Sequence, residues 1–259
     1  MGMRIAASSC CWWHHSLEDG VRLAAEAGFT AYEPLMFWSF QLHGNLEKMS
    51  AAQITALLDA HGMEPAALHI GAIDTAPDVY RSSVDYTKRA IEVAAQTGCN
   101  LVVAAGPART GELFLSFLKA LEELIPVMEG GPVRLALENH YRNRIETPAD
   151  YERIFEHIDS PSIGITLDTG HFTASGVEPE TVARRFGAAR VFHVHIKDHR
   201  GAQSVALGRG TTNNIGTVRA LRESGYTGYL SQEIECGEGQ EADRMAADGI
   251  EYMRMLQEV

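Results

Sequence analysis

Cysteine is scarce and unpatterned in this chain: Cys10, Cys11, Cys99 and Cys236 include no CxxC pair. Neighbouring Cys10 and Cys11 are poor partners for each other, so no disulfide framework is indicated. Reduced thiols in or near a core are expected. No apolar run approaches the roughly 20 residues that cross a bilayer. The opening MGMRIAASS lacks the apolar stretch of a signal peptide, and Ala6 stands where a myristoylation pattern needs Ser or Thr. A cytoplasmic protein with no membrane role is the expectation. Basic residues are also in deficit: 22 Lys and Arg face 34 Asp and Glu, a formal charge of −12. That balance opposes broad contact with nucleic-acid phosphates. Low-complexity tracts and linkers are missing too, so 259 residues at 45% hydrophobic read as one domain, 1–259, with a large core.

What is present is alternation. Short β-branched runs near 3–8, 30–34, 66–71, 100–105, 133–138, 163–168, 190–196 and 228–234 read as strands. Amphipathic stretches near 16–27, 50–61, 80–98, 110–128, 148–158, 178–187, 213–224 and 240–257 read as helices. Ser16 with Asp19 resembles a capping box, Gly28 can close that helix, and Thr147-Pro148 places a cap before a first-turn proline. Ala-Gly-Phe-Thr, Thr-Gly-Cys-Asn and Ser-Gly-Tyr-Thr recur ahead of three strands. Eight such units without hairpin signals predict a parallel sheet closed into a (β/α)8 barrel.

Four residues stand at ends of apolar runs: Glu138 in RLALENH, Asp168 in IGITLDTGH, His195 in VFHVHIKD and Glu233 in YLSQEIE. Their spacings suit successive βα units, which places them on one rim of the barrel, where chemistry is done in such folds. Strand parity agrees. With Val133, Leu135 and Leu137 facing the helices, Glu138 points inward; Asp168 shares a face with Gly164 and Thr166, His195 with His193, and Glu233 with Tyr229 and Ser231. Phe192, Val194 and Ile196 are then expected to face outward. Three carboxylates and one imidazole suit a divalent ion such as Mn²⁺, Co²⁺, Mg²⁺ or Zn²⁺. The bland alternatives are surface ion pairs for the glutamates, a helix cap for Asp168 and a core histidine for His195, but their shared parity favours the site.

Further candidates surround this group. His171 begins the loop after Asp168 and is a candidate substrate contact. His193, one layer deeper, and His140 in ENH are expected to support the ligands from behind. Lys197, Asp198 and Arg200 open a long loop to about Thr212, with Arg200 a second candidate substrate contact. Glu33 and His69 end strands and can point into the mouth. The aromatic groups Trp12, Trp13, His14 and His15, and Phe37, Trp38 and Phe40, are placed on the same rim, as an apolar pocket wall, with Trp13 a substrate contact, or as loop and subunit packing.

ENH at 138–140, LDTGH at 167–171, HVHIKD at 193–198 and LSQEIE at 230–235 resemble, in order and spacing, the xylose isomerase-like barrels, the sugar isomerase/epimerase and type 2 AP endonuclease group. The resemblance spans nearly the whole chain. It implies that Glu138, Asp168, His195 and Glu233 bind one divalent ion, commonly manganese, that Glu138 and Glu233 move protons, and that His171 and Arg200 hold substrate. It implies a small sugar or polyol substrate and a homo-oligomer. Asn139 and Arg142 depart from the ketose 3-epimerase branch, which carries Pro and an acidic residue there, and the hydroxypyruvate isomerase branch differs at the same strand. An isomerase or epimerase working through an enediolate is the leading expectation, with a dehydratase or lyase on a keto-cyclitol or keto-sugar next. An endonuclease would need an Asp-x-His after the seventh strand, which the chain lacks. A non-catalytic sugar-binding barrel is the remaining rival.

Overall fold

The computed structural model describes residues 2–37, 43–109, 113–235 and 237–259. Trp38, Phe40 and Cys236 therefore lie outside the described residues. The predicted strands form as β1 (Arg4–Ser8), β2 (Ala31–Glu33), β3 (Glu64–Pro65), β4 (Leu68–Ala72), β5 (Leu101–Ala105), β6 (Arg134–Glu138), β7 (Ile163–Asp168) and β8 (Val191–Ile196). A hairpin, β9 (Asp198–Arg200) with β10 (Gln203–Val205), precedes the last barrel strand, β11 (Tyr229–Gln232). The parallel sheet runs β3-β2-β1-β11-β8-β7-β6-β5-β4. It is a TIM barrel. Around it lie α1 (Leu17–Ala27), α2 (Ala51–Ala60), α3 (Tyr80–Gln96), α4 (Leu113–Met128), α5 (Pro148–His157), α6 (Thr169–Ala174), α7 (Pro179–Arg190), α8 (Asn214–Glu223) and α9 (Gln240–Glu258).

The expected third strand is split. β3 pairs with β2, and after Ala66 and Ala67 the chain resumes as β4 against β5. Pro65 has no N–H to continue a ladder on both sides. The seam is closed by single bonds instead: Ala66 N–H to Tyr32 O (2.8 Å), His69 N–H to Pro34 O (3.1 Å) and Met36 N–H to His69 O (2.7 Å). The last of these brings His69 to the wall of the mouth.

Helix ends follow the local chemistry. Ser16 accepts from the Asp19 N–H, and Gly28 adopts φ +99° as α1 stops. Gly98 and Gly225, in the recurring punctuation, have φ of +73° and +86°, values open to glycine at no steric cost. The predicted helix end at Gly187 is a break rather than a stop. Gly187 turns to φ +51°, and helix assignment continues to Arg190. No described helix is long and apolar enough to cross a membrane.

The core lies between barrel and helices. Outward-facing Val102, Leu135, Leu137, Ile165, Leu167 and Val194 pack against Ile91, Phe117, Leu121, Tyr151 and Val182. Inside, the lower end of the barrel is filled by Ala67, Leu101, Val103, Ala136 and Phe192 beside Ala6, Ala31, Ala66 and Tyr229. Phe192 corrects the parity expectation. The β7–β8 register slips between Ile165 and Thr166, which pair with Val191 and His193. One extra residue on β8 lets Phe192 join His193 on the inner side. Its ring lies over Gly164, under the Arg134 guanidinium at 4.0 Å. Trp12 is also displaced from its expected place: it is buried in the core, not on the rim. Cys11 and Cys99 are buried and Cys10 half-buried.

Gly164 is the tightest point of this packing. A methyl there would meet the Phe192 ring and lie 2.6 Å from the Arg190 carbonyl oxygen, which cannot swing aside. Gly164→Ala is expected to destabilise the fold by about 1–3 kcal/mol. Urea unfolding checks this, and an unchanged midpoint would show that the bulge relaxes freely.

Candidate active site

Four strand ends converge above the filled floor. Glu138 closes β6, Asp168 closes β7, His195 lies near the end of β8, and Glu233 follows β11. All four are buried, and one ligand atom from each lies within 4.8 Å of the others. His195 Nδ1 is 2.6 Å from Glu138 Oε1, 2.5 Å from Glu233 Oε2 and 3.8 Å from Asp168 Oδ2. On its other edge, His195 Nε2 is 2.9 Å from Glu33 Oε1, while Glu33 Oε2 is 2.9 Å from His193 Nε2. A carboxylate behind a histidine fixes which ring nitrogen faces the ligand. Glu33, at the end of β2, thus braces His195 from below, with His193 bracing Glu33 in turn.

Asp168 divides its two oxygens, one to the expected helix cap and one to the cluster. Its Oδ1 accepts the His171 N–H at 2.7 Å, capping α6, while Oδ2 is buried and accepts no hydrogen bond. Glu233 Oε2 is likewise buried without one. These oxygens instead face positive charge, Asp168 Oδ2 the Lys197 ammonium at 3.3 Å and Glu233 Oε2 the His195 ring at 2.5 Å, and buried acceptors gathered this way suit a cation. The donor set, oxygen-rich with one nitrogen, fits a divalent ion. Asn139 explains part of the rigidity: its side chain donates to Asp168 O (3.0 Å) and accepts from Asp168 N–H (2.9 Å), clamping β6 to β7. Thr169 does the same between β7 and β8, accepting from Lys197 N–H at 3.1 Å.

Lys197 completes the centre. Parity with His193 and His195 carries it inward, where it is fully buried. Its Nζ is 3.3 Å from Asp168 Oδ2, 3.6 Å from Glu233 Oε2, 3.0 Å from Glu235 Oε1 and 2.9 Å from His171 Nε2. His171 therefore meets Lys197 rather than the ligand cluster. The ring of His140 stacks on His171 with centroids 3.8 Å apart, and His140 lines the cavity. Arg200 is not brought to the site. It is exposed on the hairpin, donating to Arg209 O at 2.7 Å. The expected open loop is pinned there by Asp198, whose carboxylate accepts from Gly210 N–H and Thr212 N–H.

The cluster opens into a cavity of about 570 Å³ lined by Trp13, Leu35, Phe37, His69, Glu138, Lys197 and Glu233, among others. His69 Nε2 lies 3.6 Å from Glu138 Oε2. Trp13 and Phe37 give one side of the cavity an apolar surface.

Charge follows from burial and neighbours. Burial opposes ionisation of Glu33, but His195 and His193 outweigh it and hold this carboxyl well below the usual range. Against burial, His195 lowers Glu138, and His195 with Lys197 lowers Glu233. Asp168 goes the other way: burial, with Glu138 and Glu233 nearby, lifts it to about 7 despite Lys197. His195 is raised well above its ordinary value because Glu233, Glu33 and Glu138 overcome burial. Burial and the Lys197 charge depress His171.

The model of the xylose isomerase-like TIM barrel family matches residues 21–256. The chain belongs to that family. Among relatives of this barrel, an uncharacterized protein of Methanocaldococcus jannaschii, MJ1311, is 27% identical over 255 residues, covering 90% of this chain and 84% of that one. An inosose dehydratase of Lacticaseibacillus casei is 27% identical over 122 residues, 40% of this chain and 41% of the dehydratase, so this match spans less than half its length. A solved family structure, the IOLI protein with a binding zinc atom, superposes with a TM-score of 0.81 at 19% identity, covering 98% of each chain.

Sequence reasoning understated two residues. Lys197 sits two residues past His195 in VFHVHIKD and Glu33 ends β2, and parity carries both inward, but neither belongs to the spaced set of four. Two measurements check the centre. Below pH about 7 Asp168 keeps a proton that an entering cation must displace, so affinity for Mn²⁺ is expected to rise from pH 6 to 8, with proton release in calorimetry. A pH-independent affinity would contradict this. Glu33→Gln is expected to weaken metal binding about 10–100-fold without removing a ligand, and an unchanged dissociation constant would remove Glu33 from the account.

Proposed function

We propose that the barrel mouth is the active site of a divalent-metal-dependent enzyme that moves a proton beside the carbonyl of a small keto-sugar or keto-cyclitol, as an isomerase or epimerase. The observation that carries this reading is the pairing of Glu138 and Glu233 about His195 Nδ1, at 2.6 and 2.5 Å, on the floor of a cavity of about 570 Å³. Glu138, Asp168, His195 and Glu233 would hold the ion, and the oxygen-rich donor set favours manganese over softer choices. Such an ion supplies polarisation of the carbonyl and stabilisation of negative charge on the adjacent oxygen.

The chain's own residues supply the rest. Glu138 and Glu233 come from β6 and from the end of β11, three strands apart around the barrel, so one could remove a proton from carbon while the other returns one. Return to the neighbouring carbon isomerises; return to the same carbon on its other face epimerises. His69, beside Glu138 Oε2, is placed to hold a substrate hydroxyl. Trp13 and Phe37 exclude water from one side of the cavity. His171, depressed and hydrogen-bonded to Lys197, orients the ammonium rather than the substrate.

A specific observation favours a second reading, dehydration. Lys197 is held protonated by Asp168, Glu233 and Glu235 despite burial, and it lines the cavity. A proton from it to a departing β-hydroxyl would turn the same deprotonation into loss of water. The likeness to inosose dehydratase, partial in length, points the same way.

One experiment separates the outcomes. Manganese-loaded protein is incubated in D₂O with ketoses and keto-cyclitols and followed by NMR. Deuterium entering at a carbon beside the carbonyl without loss of water supports isomerisation or epimerisation; loss of a hydroxyl supports the second reading. Glu138→Gln and Glu233→Gln are each expected to slow exchange about 100-fold or more, with metal content measured in parallel. No exchange into any member of the panel would leave the barrel a binding protein.

A further inference from the structure

We propose that His14, His15 and Asp243 form a second cation site, for zinc or another divalent ion that favours imidazole, joining the loop after β1 to the first turn of α9. It shares no residue with the cluster at the barrel centre.

Consecutive residues in an irregular segment need not aim their side chains at one point, but these do. His14 Nε2 and His15 Nε2 lie 3.2 and 2.9 Å from the same oxygen, Asp243 Oδ1. The two rings stand 4.3 Å apart, tilted by 41°. One ligand atom from each of the three residues lies within 4.8 Å of the others. The second observation is His14 itself. Its side chain is 11% exposed, and both ring nitrogens are buried with no hydrogen-bond partner. Nε2 is near the carboxylate, yet out of line for a hydrogen bond. Three donor atoms converging on common space, with both nitrogens of the His14 ring lacking a hydrogen bond, is the arrangement a bound ion completes.

The donor set indicates which ion. Two imidazoles and one carboxylate are typical of open zinc sites, which keep a fourth position for water. The partial exposure of His15 and Asp243, at 30% and 25%, leaves room for that water. The barrel centre, with three carboxylates and one imidazole, is harder in character. Acidic Glu241 and Asp243 in the first turn of α9 offset the unfavourable meeting of a cation with a helix N-terminus.

The position gives the site a purpose. Trp13, immediately before His14, lines the cavity, and so does Glu235, on the segment leading from β11 to α9. An ion held here would tie together two segments that both contribute to the pocket wall, and its removal would loosen both.

Metal-stripped protein titrated with ZnCl₂ at pH 7.5, followed by calorimetry and by elemental analysis after dialysis, tests the proposal. The wild type is expected to bind a second equivalent that the His14→Ala/His15→Ala variant lacks, the first being retained. Asp243→Asn is expected to weaken the second equivalent, and Glu138→Gln/Asp168→Asn to keep it while losing the first. A His14→Ala/His15→Ala variant that binds as much zinc as the wild type overturns the site. So does a wild type that binds a single equivalent. The comparison of wild type with the paired histidine variant decides the matter even if the barrel-centre variant fails to fold.

Discussion

Everything at the mouth of this barrel depends on one imidazole held from beneath. Glu33 grips His195 Nε2, so Nδ1 has one direction left, upward into the space between Glu138, Asp168 and Glu233. Three buried acids so close would repel one another at considerable cost. The metal-free protein offsets this by protonating His195 and Lys197 and by lifting Asp168 to about 7. Taking any one member away exposes the rest to uncompensated burial, which is why such a cluster is better read as a site than as a stabilising device.

The scaffold makes that concentration of charge tolerable by fixing strand ends rather than side chains alone. Asn139 clasps the Asp168 backbone across β6 and β7, Thr169 bridges β7 and β8, and the Tyr151 hydroxyl donates to Leu137 O at 2.8 Å from the helix layer. Below, small residues and the inward ring of Phe192 pack the barrel interior, so the cavity of about 570 Å³ opens at the end where the polar groups gather. The departure of Asn139 from the ketose 3-epimerase pattern has a structural meaning here. An amide that bonds twice to a neighbouring backbone does what a proline at this position could not.

Strand alternation made the centre legible in the sequence. Because side chains switch face at every residue, parity alone puts Glu138, Asp168, His195 and Glu233 on one wall, and alternating strand and helix patterns count eight βα units, three of them marked by the same glycine punctuation. What escaped that reasoning has identifiable causes. A single bulge on β8 reversed Phe192, since one extra residue changes face without leaving a mark in composition. Pro65 split one strand into two partners' worth of pairing. Arg200 looked like a pocket residue because a long polar segment followed Lys197; the Asp198 carboxylate, by folding that segment into a hairpin, turned the guanidinium outward. Glu33 and Lys197 are single charged residues at strand ends and carry no spacing signature, and only the closed ring of strands shows what they face.

The divided carboxylate of Asp168 links the centre to its surroundings mechanically. One oxygen anchors the amide of His171 at the start of α6, and His171 in turn holds the Lys197 ammonium. Any guest that draws on the other oxygen tugs the same rigid group. Lys197 Nζ also lies 3.3 Å from that other oxygen, so a guest bound there would meet the lysine directly as well as through the helix turn. Filling and proton placement become a single event rather than two.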